Sequence, residues 1–150
     1  FLAHNSNIQY IFCFLNSFVY IFIMEKPNVF NVLECPGCKI PKGWGEEVII
    51  TNNELYCGKL LRFKEGAKFS MHYHMIKDET WYVNKGLFIY RWIDTETAET
   101  IEQKLIPGDV VRQLPGQPHQ LEALVEGEVF EVSTEHFDSD SYRVWRGDSQ

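Results

Sequence analysis

From residue 45 onward, short runs rich in β-branched and aromatic residues alternate with polar or glycine-containing breaks. Glu47–Thr51 stops at Asn52 and Asn53, and Leu55–Phe63 stops at Lys64, Glu65 and Gly66. Lys68–His74 comes next, then Glu79–Val83 up to Asn84-Lys85-Gly86, and Leu87–Ile93 up to a polar stretch at Asp94–Thr97. Glu99–Ile106, Val110–Leu114, Gln120–Val125 and Glu128–Thr134 complete the series, punctuated by Pro107-Gly108, Pro115-Gly116 and Gly127. Roughly nine short strands at a spacing of about 8–12 residues, with no helical period, predict an all-β sandwich or barrel. Residues two apart on a strand share a face. Leu55, Cys57, Leu61 and Phe63 therefore mark an inward parity that also contains Lys59. A lysine there either has an anionic partner or ligand, or lies near a strand end and reaches water.

The first part of the chain follows a different pattern. Residues 1–24 contain no Asp, Glu, Lys or Arg, and Ile8–Met24 is interrupted only by Gln9, Asn16 and Ser17. The stretch is borderline in length for a membrane span, lacks a basic n-region, and has no small-residue cleavage site before Glu25. Three origins stay open: upstream sequence foreign to the mature protein, a signal-anchor, or an ordered N-terminal strand. Residues 1–24 are accordingly expected to be an apolar leader outside the fold, and residues 25–150 a single domain. Absent a native anchor in residues 1–23, the expected setting is the cytoplasm, away from membranes.

The remaining 14 basic and 21 acidic side chains give a net charge of −7. That balance argues against nucleic acid, whose phosphates require clustered Lys and Arg. A chain that is 45% hydrophobic and 15% aromatic is not disordered. Four cysteines are too few for a secreted disulfide framework. Cys35-Pro36-Gly37-Cys38 reads most simply as a turn, with half a zinc site or a redox pair as unsupported alternatives. Cys57 reads as a buried hydrophobe.

The candidate chemistry lies between Gly66 and His119. His72 and His74 sit one residue apart on a strand and so share a face. Glu79 opens the next strand, and His119 opens a later one after Pro115-Gly116-Gln117-Pro118. Three imidazoles and a carboxylate suit one divalent first-row metal ion, with positions left for water or substrate.

These residues resemble the cupin superfamily. The motif G-x5-HxH-x4-E-x6-G is met by Gly66, His72, His74, Glu79 and Gly86. The second motif, G-x5-PxG-x2-H-x3-N, is met at Gly108, Gly116 and His119, with Leu114 in place of its Pro and Ala123 in place of its Asn. The resemblance implies a double-stranded β-helix, the cupin jelly-roll barrel, with a metal (Zn, Mn or Fe) on His72, His74, Glu79 and His119.

Within cupins, the chain is similar to the cupin domain of type II mannose-6-phosphate isomerases. Trp44-Gly45, the stretch from Ser70 through Lys77 and Glu79 to Trp81, and Asp138–Arg143 carry that likeness. His72 stands where that family has Gln, and Lys77 where it has Arg. The implied reaction interconverts an aldose and a ketose phosphate, with Lys59 and Arg112 as catalytic or phosphate-binding cations and Arg143 as a third. The base is unassigned; Glu131 is a candidate, with an ordinary exposed Glu as the simpler reading. Two other functions use the same ligand set: an Fe- or Mn-dependent dioxygenase, and a non-catalytic metal-bearing cupin that binds sugars. Cupins often pair, so a homodimer is compatible with the resemblance.

Overall fold

A computed structural model of the protein describes residues 8–15, 18–25 and 29–148. It divides into two units, Phe1–Asn31 and Val32–Gln150. In the first, β1 (Ile8–Leu15) and β2 (Phe18–Glu25) pair antiparallel, from Leu15 opposite Phe18 to Ile8 opposite Glu25. Residues 1–7, 16 and 17 of the leader lie outside the described residues. No helix among those described is long and apolar enough to cross a membrane.

The second unit opens with 3₁₀ turns at Val32–Glu34 and Pro36–Cys38. The Pro-Gly turn is there, and it also carries a Cys35–Cys38 disulfide. Cys57 is free and buried. Nine strands follow: β3 (Lys39–Lys42), β4 (Gly45–Asn52), β5 (Cys57–Phe63), β6 (Met71–Tyr73), β7 (Glu79–Ile93), β8 (Thr100–Leu105), β9 (Val110–Gln113), β10 (His119–Ser133) and β11 (Tyr142–Trp145).

Strand β10 organises the sheet, since it pairs with β5, β6 and β7. Its first half, His119–Val125, lies against Leu87–Trp92 of β7 and touches β6 at His72. Its second half lies between β5 and the Glu79–Lys85 half of β7. β8 extends β7 beyond one half and β9 beyond the other. Two long strands thus pass from one layer to the next, and the sheet curls into a jelly roll.

This explains why pairs of predicted strands are single elements. Asn84-Lys85-Gly86 and Gly127 look like turns in sequence. They are instead irregularities within continuous strands, where the β7–β10 register shifts between Ala123 and Val129. Gly86 has φ +101°, and a Cβ on it would stand 2.6 Å from Gly127 Cα, so glycine permits both the bend and the crossing.

The core fills the space between the layers. Trp44 stacks on Phe63 with ring centroids 4.4 Å apart, and Phe69 packs edge-on against Trp81. Phe88, Leu121 and Val129 are fully buried around them. The inward parity of β5 holds from Cys57 to Phe63, whereas Leu55 precedes the strand and is exposed.

Candidate metal centre and cavity

Register brings the histidines together. His119 is the cross-strand partner of His72, and directly opposed residues present side chains on one face. His74 shares that face two residues on. Ring centroids are 4.6 Å apart for His72 and His119 and 5.0 Å for His72 and His74. One ring nitrogen from each histidine lies within 4.8 Å of the other two, so the group could hold a metal ion.

Backbone carbonyls orient all three rings. Nδ1 of His72 lies 2.8 Å from Ser70 O, that of His119 2.9 Å from Gln117 O, and that of His74 2.5 Å from Asp140 O. A carbonyl only accepts, so each Nδ1 carries the hydrogen, and each ring when uncharged offers its Nε2 lone pair. Burial, reinforced by His119, holds His72 well below the ordinary histidine pKa. Burial and the Lys77 ammonium lower His74 in the same direction. Uncharged imidazoles are what a metal requires.

Glu79 completes the cluster. Its Oε1 lies 2.8 Å from His119 Nε2 and 3.9 Å from His74 Nε2. Glu79 Oε1 and His119 Nε2 are buried, and neither has an aligned hydrogen-bond partner. Two lone-pair donors facing each other inside the protein fit a cation between them. The other carboxylate oxygen is ion-paired with Lys77. Burial pushes the Glu79 carboxyl up, but Lys77, His119 and His74 together outweigh it and hold the group well below the usual carboxylate range.

Lys77 also lies 2.9 Å from Glu131 Oε1, and all three side chains of this group are buried. Burial works against the Lys77 charge, yet Glu131 and Glu79 more than offset it, so its pKa rises. Glu131 faces Lys59 across the β5–β10 pair, and Lys59 lies 3.4 Å from Glu47. Glu47 is in turn 3.5 Å from Lys42. Alternating charges therefore run along one wall of a cavity of about 230 Å³, from the histidine cluster to Lys42. Lys59 is 2% exposed, which removes the strand-end reading.

The cavity also receives His136 and, from the C-terminal segment, Asp138, Ser141 and Arg143. Two hydrogen bonds with Asn52 fix the His136 backbone. The ring Nε2 lies 3.2 Å from Asp138 Oδ1, while buried Nδ1 has no partner. Burial, Lys59 and Lys77 lower its pKa.

Of the residues expected from sequence, His72, His74, Glu79, Lys59 and Arg143 line this cavity, and His119 joins the cluster from behind His72 and Glu79. Arg112 does not. Glu79 and Trp81 face inward, so their β9 partners Gln113 and Val111 do too; Arg112 lies opposite Thr80 on the other face. It is exposed and pairs with Asp78. Glu131, a candidate base that the sequence reads more simply as an exposed Glu, is buried, as is Lys77, which the family pattern marks only by its stretch and its replacement of Arg; His136 has no sequence signal.

The fold is the all-β cupin jelly roll, as the sequence resemblance implied. No protein-family profile matches the chain, and no curated protein matches its sequence. Solved structures do. A variant of Bacillus subtilis oxalate decarboxylase matches with TM-score 0.67 and 18% identity, over 77% of this chain and 32% of that one. CapF, solved with the inhibitor 3-isopropenyl-tropolone, matches with TM-score 0.64 and 22% identity, over 71% of this chain and 34% of its own. KdgF from Halomonas sp. matches with TM-score 0.55 and 22% identity, over 63% of this chain and 81% of that one. The chain thus spans about a third of the length of the first two. Oxalate decarboxylase has Mn(II) centres. None of the three is a mannose-6-phosphate isomerase.

Proposed function

We propose that the protein is a metal-dependent cupin that interconverts an aldose and a ketose phosphate. The observation that carries this reading is a single small cavity joining His72 and His74 of the three-histidine cluster, Glu79, the cations Lys59 and Arg143, and the neutral imidazole of His136. His72, His74, His119 and Glu79 would hold one divalent ion, Zn, Mn or Fe. When bound, it supplies Lewis-acid polarisation of a carbonyl and a template for adjacent sugar oxygens.

The chain's own groups account for the rest. Lys59 and Arg143 suit the phosphate, as point charge and planar fork respectively. The Arg143 side chain has no ion-pair or hydrogen-bond partner among the described residues, and that of Lys59 has only the long contact to Glu47 there. His136 donates from Nε2–H to Asp138, which leaves the Nδ1 lone pair to accept the proton that moves between neighbouring carbons. Glu131 is the poorer base, because Lys77 stabilises its anion. A cavity of this size suits a compact ligand, below the range of about 300–1,000 Å³ for drug-sized ones.

The test is elemental analysis of the untagged full chain, followed by proton NMR of fructose 6-phosphate and mannose 6-phosphate in D₂O with the metal found. Interconversion with deuterium incorporation at C2 supports the isomerase. Oxygen uptake without exchange would transfer the site to the dioxygenase reading, and metal with neither reaction to the sugar-binding one.

A further inference from the structure

The connection from β6 to β7 carries His74 at its start and Glu79 at its end; Gly116 and Thr134 bond its two ends, and one residue bonds the three amides in its middle. The Asp140 carboxylate, 4% exposed, accepts from three successive backbone N–H groups. Met75 N lies 2.9 Å from Oδ1, Ile76 N 3.3 and 3.1 Å from the two oxygens, and Lys77 N 3.0 Å from Oδ2. Three consecutive amides around one anion form a backbone nest. The same residue's carbonyl oxygen accepts from His74 Nδ1. Asp140 therefore grips the loop with its side chain and the ligand ring with its main chain.

Asp140 is itself fixed. Its N–H donates to Phe137 O, and β11 follows directly, with Tyr142 opposite Tyr73 and Arg143 opposite His72. Further on, Asp148 N donates to Lys68 O, and Lys68 N donates to Asp148 Oδ2. The segment is anchored on both sides of the cavity wall it forms.

We infer that Asp140 is the positioning residue of the candidate metal centre: it locks His74 in the Nδ1–H tautomer and holds the loop that presents Lys77 and Glu79. The inference rests on the reading of the histidine cluster as a metal centre for its purpose, but not for its test. His72 and His119 take their Nδ1 bonds from Ser70 and Gln117, which Asp140 does not touch, so their rings are internal controls.

The experiment is long-range proton–nitrogen NMR of ¹⁵N-histidine-labelled full chain, wild type, Asp140→Ala and Asp140→Asn, with zinc titrated into each. The wild type is expected to show His74 as a single Nδ1–H tautomer. Release of the nest in Asp140→Ala should give a tautomer mixture at His74 alone and weaken zinc binding by about 10- to 100-fold. Asp140→Asn keeps the volume and one acceptor oxygen, so it serves if the alanine variant does not fold, and its effect should be smaller in the same direction. A wild-type His74 carrying its hydrogen on Nε2 overturns the inference, as does a folded variant with unchanged tautomer and zinc affinity within twofold. If the wild type takes up no zinc, the metal reading falls and the tautomer comparison alone decides the role of Asp140.

Discussion

Gly86 and Gly127 meet backbone to backbone where β7 and β10 pass from one layer of the jelly roll to the other. A Cβ on Gly127 would stand 2.6 Å from Phe88 Cζ and 2.7 Å from Lys85 O, so neither strand has room for one. Gly127→Ala should cost about 2–4 kcal/mol, as overpacking against backbone does. Gly116 has φ +83° but open space, so Gly116→Ala should cost only about 1–2 kcal/mol of backbone strain. Urea unfolding of both variants checks the order.

Lys77 stands between two buried carboxylates, so removing it strands both. Lys77→Met should destabilise the metal-free protein by about 3–5 kcal/mol. Lys77→Met combined with Glu131→Gln should recover part of that loss, a non-additivity that a double-mutant cycle by denaturant unfolding measures.

His136 gives a pH dependence whose sign follows from its lowered pKa. Above the ordinary value of 6.5, folded and unfolded chains are both neutral at this position. Below it the unfolded chain takes up the proton first, so stability falls with pH until the folded-state pKa is reached. His136→Asn should flatten the curve in that window relative to wild type. The same shift should place the acid limb of kcat/KM below pH 6.5. A profile unchanged in His136→Asn would remove the residue from the proton transfer.

Lys59 and Arg112 separate cavity from surface. Lys59→Met should raise KM for the sugar phosphate by about tenfold or more with a smaller change in kcat, the mark of lost ground-state binding. Arg112→Ala should leave zinc affinity and both kinetic constants at wild-type values. Steady-state kinetics of the pair decides it.

What the sequence disclosed was set by how local each signal is. His72 and His74 are fixed on one face by strand period alone, and Glu79 and His119 follow at spacings that a turn can close. The face of Arg112 is not legible, because Val110 and Val111 are both apolar; alternation cannot say which parity of β9 faces in, and only pairing with Glu79 and Trp81 decides. Glu131 was obscured in the same way, since Val129, Phe130 and Val132 surround it with apolar residues on both parities. Asp140 and His136 lie in irregular segments where no period operates. The segment Asp138–Arg143 was flagged by resemblance, but its grip on residues 75–77 is long-range and has no sequence signature.

The charge row from Glu79 through Lys77, Glu131, Lys59 and Glu47 to Lys42 has a consequence for changing the ligand. Each member compensates its neighbours, so one substitution leaves an uncompensated charge beside it, most costly in the buried part of the row. New specificity is therefore reached by exchanging neighbouring positions together. A library that varies Lys59 with Glu47, or Lys77 with Glu131, should yield folded proteins far more often than one that varies each position alone.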